Sequence, residues 1–411
     1  MSEQNSSISA ARPKILALLG CYLPGFNSGG PVRTVSCMVE ALAPFFDWKL
    51  VTLNHDSGST EIYSTVRTGE WNRVGSGDVF YIPKWNARTV QRIAHEVQPD
   101  IIYLNGFFST SSICALLARK RGMLPQVPVV LATRGDLAGG ALGLKILKKR
   151  GYMKVARGFS LYSGLHWHAS SDREKSEILS QLEPFGVSPE IVHVAPDLGF
   201  GYKLSEIRRP EKHPGSARFV TLGRIVRMKN PLFTLERLSE LQGEVSLDIF
   251  GPLQDPELWK ECEQKIASLP ANVTVRWHGS VSPQGVLEEL SERHFFILPT
   301  LGENYGHVII EGAAAGCPII ISNRTQWLGL SSQCVGWDIP LENTAEWRRV
   351  LQACVHMPEA EYRIMSQKAS EFGRSVMNSK SNLEANVALF RRALAPIDNT
   401  GVGSFVRGVS R

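Results

Sequence analysis

Short apolar runs alternate with amphipathic stretches along most of this chain, and that alternation limits the possible fold more than any other property of the sequence. Lys14–Gly20, Lys49–Asn54, Val79–Pro83, Ile101–Asn105, Val129–Thr133, Leu165–Ser170 and Ile191–Ala195 have the length and apolar content of buried strands. Helical spacing fills the intervals at Val32–Leu42, Thr89–Val97, Ser111–Arg121 and Asp172–Gln181, the last opened by the capping box Ser171-Asp172-Arg173-Glu174. Apolar strands joined through helices build parallel sheets covered on both faces. The expected class is therefore α/β.

A polar stretch rich in proline and charge, Ser205 to Ala217, breaks the rhythm and reads as a linker. Strands resume at Phe219–Leu222, Val245–Phe250, Val273–His278, Phe295–Leu298 and Ile319–Ser322, and helices close the chain near Glu346–Cys354, Glu359–Arg374 and Asn382–Leu394. We expect a disordered N-terminus (1–13), a first domain (14–204), the linker (205–217), a second domain (218–378), a final helix (379–396) and a flexible, glycine-rich tail (397–411). A chain of 411 residues suits two doubly wound domains facing each other across a central cleft better than one domain.

Composition removes several classes of function. The net charge of +6 is modest for this length and gives no nucleic-acid footprint. Seven scattered cysteines without a Cys-x-x-Cys pair indicate neither a disulfide framework nor a zinc site, and suit a reducing cytoplasm. No run approaches the eighteen or so apolar residues of a membrane span, and the polar start carries no signal core. One segment is distinctive: Lys145, Lys148, Lys149, Arg150, Lys154 and Arg157 crowd together among apolar neighbours. Such a patch either rests on anionic lipid or a pyrophosphate-linked acceptor, giving a peripheral location on the inner face of the cytoplasmic membrane, or is an ordinary solvated helix face.

Chemistry concentrates in TLGENYGHVIIEGAAAG. Here Glu303 and Glu311 stand at the exit of the strand Phe295–Leu298 and on the helix that follows. Open α/β sheets bind ligands at such exits. A helix beginning near Gly306 would direct the amides of Gly306, His307 and Val308 outward with the positive end of its dipole, which suits phosphate; His307 could contribute a phosphate contact or simply cap. Upstream, the strand ending at Gly223 delivers Arg224 and Lys229 to the same edge. Two fixed cations and a helix N-terminus can bind a diphosphate, each charge-assisted contact being worth roughly 1.5–3 kcal/mol. The chain has no Asp-x-Asp pair to hold a divalent ion, so no metal and no cofactor are expected.

The segments GRIVRMKNP, DIFGP, the glutamate pair and EGAAAGCPIIIS, spanning about Phe219 to Ser322, resemble the retaining, nucleotide-sugar-dependent glycosyltransferases of family four (glycosyl transferases group 1), of the bacterial surface-polysaccharide type. That resemblance implies the GT-B fold, in which two Rossmann-like domains face a cleft and the last helix crosses back to the first domain. It also implies transfer of a sugar from a nucleoside diphosphate sugar to a hydroxyl of a glycan or lipid-linked acceptor. By the same resemblance Glu303 contacts donor-sugar hydroxyls, Glu311 holds the ribose, and Arg224 and Lys229 neutralise the departing diphosphate. Asn304 and Tyr305, where many relatives have Gly and Phe, and His307 after the glycine depart from the family pattern and bear on sugar preference. A nucleotide-sugar epimerase of the same fold and a non-catalytic subunit of a polysaccharide assembly complex are the alternatives.

Further candidates follow from their places at strand exits. Gly29 and Gly30 precede Pro31 at a helix start and would let backbone approach a ligand across the cleft; the resemblance implies that this loop lies beside the donor phosphates and the acceptor, with Arg33 assisting. Gly251 and His278 close two second-domain strands and are expected either to border the nucleotide base or to be ordinary turns. Asn105, Arg134 and Asp136 lie at two first-domain exits that should shape the acceptor pocket, where Asp136 is the candidate base unless a donor phosphate takes the proton. Phe107 and Phe108 could stack on a sugar or pack under the loop. His166 and His168, two apart in a strand, have the spacing of a metal pair but no third ligand nearby, which favours a structural role.

Overall fold

A computed structural model describes residues 11–25, 29–138, 146–199, 209–282 and 285–395. The expectations for residues 1–10, 200–208 and 396–411, and for Phe26, Asn27, Ser28 and Lys145, lie outside the described residues. The first half is built from β1 (Lys14–Leu18), α1 (Gly30–Leu42), β2 (Asp47–Leu53), β3 (Trp71–Val74), β4 (Gly77–Ile82), α2 (Ala87–Val97), β5 (Ile101–Asn105), α3 (Thr110–Lys120), β6 (Val129–Ala132), α4 (Ile146–Gly158), β7 (His166–Ala169), α5 (Asp172–Leu182) and β8 (Val192–Val194). These strands form one sheet in the order β3-β4-β2-β1-β5-β6-β7-β8, parallel except for β3. The second half contains β9 (Ser216–Leu222), α6 (Pro231–Leu238), β10 (Glu244–Phe250), α7 (Pro256–Ala267), β11 (Val273–Trp277), α8 (Val286–Ser291), β12 (Phe295–Leu298), α9 (His307–Ala314), β13 (Ile319–Ser322), β14 (Gly336–Ile339), α10 (Thr344–His356), α11 (Glu359–Met377) and α12 (Lys380–Leu394). Its sheet runs β11-β10-β9-β12-β13-β14.

Both orders reverse direction at one place. In the first sheet β1 lies between β2 and β5, and in the second β9 lies between β10 and β12. Crossovers leave in opposite directions at these points, so a crevice opens beyond the strand ends. The exits of β1, β5, β9 and β12 are the segments that carry most of the chemistry expected from sequence.

Each sheet has apolar clusters on both faces, as near-continuous apolar strands require. Phe390 of α12 packs edge-on against Phe46, Trp48 and Tyr103 of the first half at 5.5, 5.6 and 5.2 Å between ring centroids. Asn386 of the same helix donates to Pro196 O at 2.8 Å. The last helix thus belongs to the core of the first sheet although it comes last in the chain.

The structure differs from the sequence reading in particular places. Strands β3 and β14 were not expected; β3 is short and polar, and β14 contains Gly336 and Asp338, so neither shows the apolar run of a buried strand. The strand expected from Phe219 begins at Ser216, since Ser216 and Ala217 already pair with Glu244 and Val245. Lys212, placed in the linker, is buried, and its Nζ donates to the carbonyls of His213, Val355 and Met357 at 3.0, 3.0 and 3.1 Å. This end of the linker is therefore fixed to the C-terminal end of α10. The capping box is half formed: Glu174 N donates to Ser171 Oγ, but the Glu174 carboxylate turns instead to Ser170, Thr133 and Gly135. Among the described residues no helix is long and apolar enough to cross a membrane.

Candidate active site

The cleft is lined where the two sheets approach. A Cβ on Gly135 would stand 3.0 Å from that of Asn304, one on Gly29 would stand 3.7 Å from Arg224 Nε, and Arg173 donates to Thr325 O at 3.3 Å.

On the second-domain side, β9 ends at Leu222 and the chain passes through Arg224 to a short 3-10 turn, Arg227–Lys229. This turn is attached to the exit of β12, since Thr300 Oγ1 and Leu301 N both donate to Met228 O, at 3.0 and 2.8 Å. Lys229 is thereby held beside Glu303, and the two side chains form an ion pair, each mostly buried. Arg224 donates to Gln254 Oε1 at 3.0 Å. Burial lowers the pKa of its guanidinium, against the upward pull of the nearby Glu303 charge. Thr221, Gly223, Arg224 and Lys229 line a narrow cavity of about 20 Å³ beneath this loop.

Helix α9 starts abruptly. Gly306 is its N-cap in the left-handed region (φ 80°, ψ 53°), where a Cβ would also stand 2.9 Å from Glu303 Cγ. The amides of His307 and Val308, first in the helix, have no residue four positions back to bond within it and mark the positive end of its dipole. Glu311, one turn later, does not sit open at the mouth. Its side chain is 3% exposed and pairs with Arg33 Nη2 of α1 at 2.5 Å across the cleft. Burial pushes its carboxyl above the ordinary range, while Arg33 and His307 pull in the opposite direction.

His307 also reaches across. Its Nε2 is 2.8 Å from Thr34 Oγ1 and 3.2 Å from Asp197 Oδ2, so its side chain turns to the first half of the chain rather than capping its own helix. Thr34 donates to the same Asp197 oxygen at 2.5 Å, and Arg134 Nη1 donates to Asp197 Oδ1 at 3.0 Å. Burial raises the Asp197 carboxyl, but the hydrogen bond from His307 and the charge of Arg134 outweigh it and hold the group well below the usual carboxylate range.

The acceptor-side candidates fall differently from expectation. Arg134, in the left-handed region (φ 54°), is 6% exposed and committed to Asp197, Asn105 Oδ1 and Tyr103 OH, so it braces the cleft wall rather than offering a free cation. Asn105 is likewise buried under it. Asp136 accepts from Phe108 N at 3.2 Å, and burial, opposed by that amide, raises its carboxyl. Its lone pairs shape the β5 exit. Phe107 is fully buried and stacks on Tyr162 at 4.4 Å, while Phe108 lies partly exposed beneath Lys149, whose Nζ is 4.8 Å from the ring centre.

Arg224, Lys229, Glu303, Gly306, Val308 and Gly29 therefore gather at one crevice, with Gly30 opening α1 beside it. Gly251 and His278 flank it from β10 and β11. Gly251 is required by the close backbone of Gly223, its hypothetical Cβ lying 1.9 Å from Gly223 O; His278 is stacked on Phe250 and bonded to Asp248 at 2.6 Å. His166 and His168 turn to separate partners, His193 at 3.3 Å and Tyr103 at 2.7 Å. Sequence reasoning missed Thr34, Asp197 and Glu174. Asp197 was within reach, being a carboxylate two residues beyond an expected strand, Ile191–Ala195.

Residues 204–329 match the family described as Glycosyl transferases group 1. No protein of curated function matches the chain by sequence. Among solved structures the chain is similar to a sucrose-phosphate synthase from Thermosynechococcus elongatus, at a TM-score of 0.71 and 15% identity over 93% of this chain and 99% of that one. It is also similar to WaaG, a glycosyltransferase involved in lipopolysaccharide biosynthesis (TM-score 0.66, 12% identity, 91% and 99% covered). A third is HepE of Anabaena, solved with UDP and glucose (TM-score 0.63, 15% identity, 93% and 99% covered). These likenesses show the fold, which is GT-B.

Proposed function

We propose that this chain, whose second half carries a group 1 glycosyl transferase segment within a GT-B fold, moves a sugar from a nucleoside diphosphate sugar to a hydroxyl of a glycan or lipid-linked acceptor, with retention of configuration. The observation that carries the reading is the convergence of Arg224, Lys229 and the N-terminus of α9 around Glu303. As the bond from the anomeric carbon to the diphosphate breaks, negative charge grows on the leaving oxygen. Fixed cations and amides at that point stabilise it more than they stabilise the bound donor. We assign Glu303, anchored by Lys229, to the sugar hydroxyls; Glu311, buried against Arg33, is assigned to the ribose and reaches it only where that pair parts. We assign the incoming hydroxyl's proton to an oxygen of the departing diphosphate, with Asp136, one of whose carboxylate oxygens accepts from Phe108 N, as the second candidate. Two side-chain cations serve where other enzymes use a metal ion, so we propose metal-independent transfer.

The test is transfer from a panel of labelled nucleotide sugars in the presence of chelator, with the product's anomeric configuration read by NMR. An inverted linkage, or an absolute metal requirement, would contradict the proposal. Conversion of the donor without acceptor would favour the epimerase reading. Glu311→Ala should raise the donor's dissociation constant roughly tenfold, the value of a lost charge-assisted contact. Unchanged nucleotide affinity by calorimetry removes Glu311 from the site.

We also propose a lipid-linked acceptor presented at the cytoplasmic face of an anionic membrane, in bacterial surface-polysaccharide assembly. Supporting this, α4 exposes Leu147 and Val155, and Phe159 just beyond it is exposed too, beside Lys148, Arg150, Lys154 and Arg157, and the sequence has no acidic residue between Asp136 and Asp172. Lys149, on the inward side of that helix, reaches the Phe108 loop. Each basic residue near such a surface is worth about 1 kcal/mol. Lys154→Glu with Arg157→Glu should lower sedimentation with phosphatidylglycerol-containing vesicles about tenfold or more; equal sedimentation would leave the patch as a solvated face.

A further inference from the structure

We propose that His307 is a positioning residue: through Asp197 and Thr34 it fixes the start of α9 against the first domain, and so sets the place of the diphosphate-binding amides relative to the acceptor-side loops. Its kinetic consequence rests on the transferase reading above; its structural consequence does not.

The geometry admits one consistent set of donors. Thr34 O–H points at Asp197 Oδ2, and the His307 Nε2–H is shared between that carboxylate and the remaining lone pairs of Thr34 Oγ1. Arg134 holds the other carboxylate oxygen and is itself bound to Asn105 and Tyr103. One chain of contacts thus runs from the exits of β5 and β6, through the segment after β8, to the first residue of α9. All of it is nearly dry, the side chains of Arg134, Asp197 and His307 being 6, 3 and 9% exposed. In such surroundings a charge-assisted contact is strong and its loss is costly.

Two further features mark the contact as a device for placement. His307 and Glu311 are one turn apart on α9, and they are received by neighbouring residues of α1, Thr34 and Arg33. The loop before His307 is also held: the Tyr305 ring lies 4.8 Å from the imidazole, and Tyr305 O accepts from Trp327 Nε1 at 2.7 Å. An Asp carboxylate beside the first residue of a helix is favourable on its own account. The helix mouth that faces the diphosphate therefore cannot shift without breaking Asp197–His307. Catalysis is sensitive to such shifts, a misplacement of about 1 Å costing on the order of a hundredfold.

The experiment compares His307→Leu, His307→Gln and Asp197→Asn in the full chain. Glutamine places an N–H near the position of the imidazole Nε2, whereas leucine fills the space without a donor. For His307→Leu we expect kcat to fall roughly tenfold or more, with the dissociation constant of the best-bound of UDP, GDP, ADP and dTDP unchanged within about threefold, because those contacts lie within the second domain. His307→Gln should recover most of the loss. Asp197→Asn combined with His307→Leu should be no worse than the poorer single variant, as expected of two parts of one interaction. Small-angle scattering of the ligand-free proteins should show a more open chain for His307→Leu than for wild type. Wild-type kcat and scattering in His307→Leu, no rescue by glutamine, or a nucleotide affinity that falls in step with kcat would overturn the proposal, the last by indicating direct phosphate contact. Should wild type transfer no sugar at all, the transferase reading fails while scattering still decides whether this contact holds the domains together.

Discussion

Lys229→Ala should lower kcat about a hundredfold or more with a saturating donor, and Arg224→Ala should do so by a similar factor, since loss of one electrostatic contact to a developing anion costs about 2.7–4 kcal/mol. The two variants should differ in their side effects. Lys229 is ion-paired with Glu303, whereas Arg224 is attached to neutral Gln254. Removing Lys229 also frees the Glu303 carboxylate, so the affinity for the sugar portion of the donor should change as well. In Arg224→Ala the affinity for the sugar should be preserved. A single-turnover rate within a few-fold of wild type in either variant contradicts its assignment to the leaving group.

The second large effect concerns stability. Arg33→Ala strands the Glu311 carboxylate in a site where it is 3% exposed, and removal of one partner from a buried pair typically costs about 3–5 kcal/mol. Glu311 is already biased toward its neutral form by burial, so part of that cost should be relieved by proton uptake. We therefore expect a loss of about 3 kcal/mol by denaturant unfolding, and substantial recovery when Glu311→Gln is added, because the glutamine carries no charge to strand. A cost below about 0.5 kcal/mol would mean that the pair is solvated. The donor should lose affinity in the double variant even where stability returns, which separates the two roles of Glu311.

The alternation of strands and helices was legible because buried parallel strands are largely apolar on both faces, as β1, β5 and β12 are over most of their length, while β9 shows the signature only in its second half, from Phe219. Short edge elements such as β3 and β14 carry no such signature, since pairing with a neighbour rather than burial makes them strands. Arg224, Lys229, Glu303 and Gly306 could be picked out as candidates because each stands within eight residues of the end of a switch-point strand. What sequence could not show was the partner across the cleft. Glu311 was assigned to the donor by resemblance, and His307 to a phosphate contact or a cap from its place at the helix start, yet the structure gives them Arg33, Thr34 and Asp197, which are more than a hundred residues away. Arg134 and Asp136 have partners that sequence could not show for the same reason: a charged residue at a strand exit can also bond a neighbouring loop, as Arg134 bonds Asp197 and Asp136 bonds Phe108 N.

The central claim is that Arg224, Lys229 and the start of α9 form a diphosphate site that works without a metal. Calorimetric titration of UDP, GDP, ADP and dTDP into wild type and Lys229→Ala, both in chelator, tests it most directly. The account predicts that one of the four binds wild type in chelator and that its affinity falls about tenfold or more in Lys229→Ala, the value of one charge-assisted contact. If none binds without metal, or if the affinity is the same in both proteins, the site is elsewhere or works by other means.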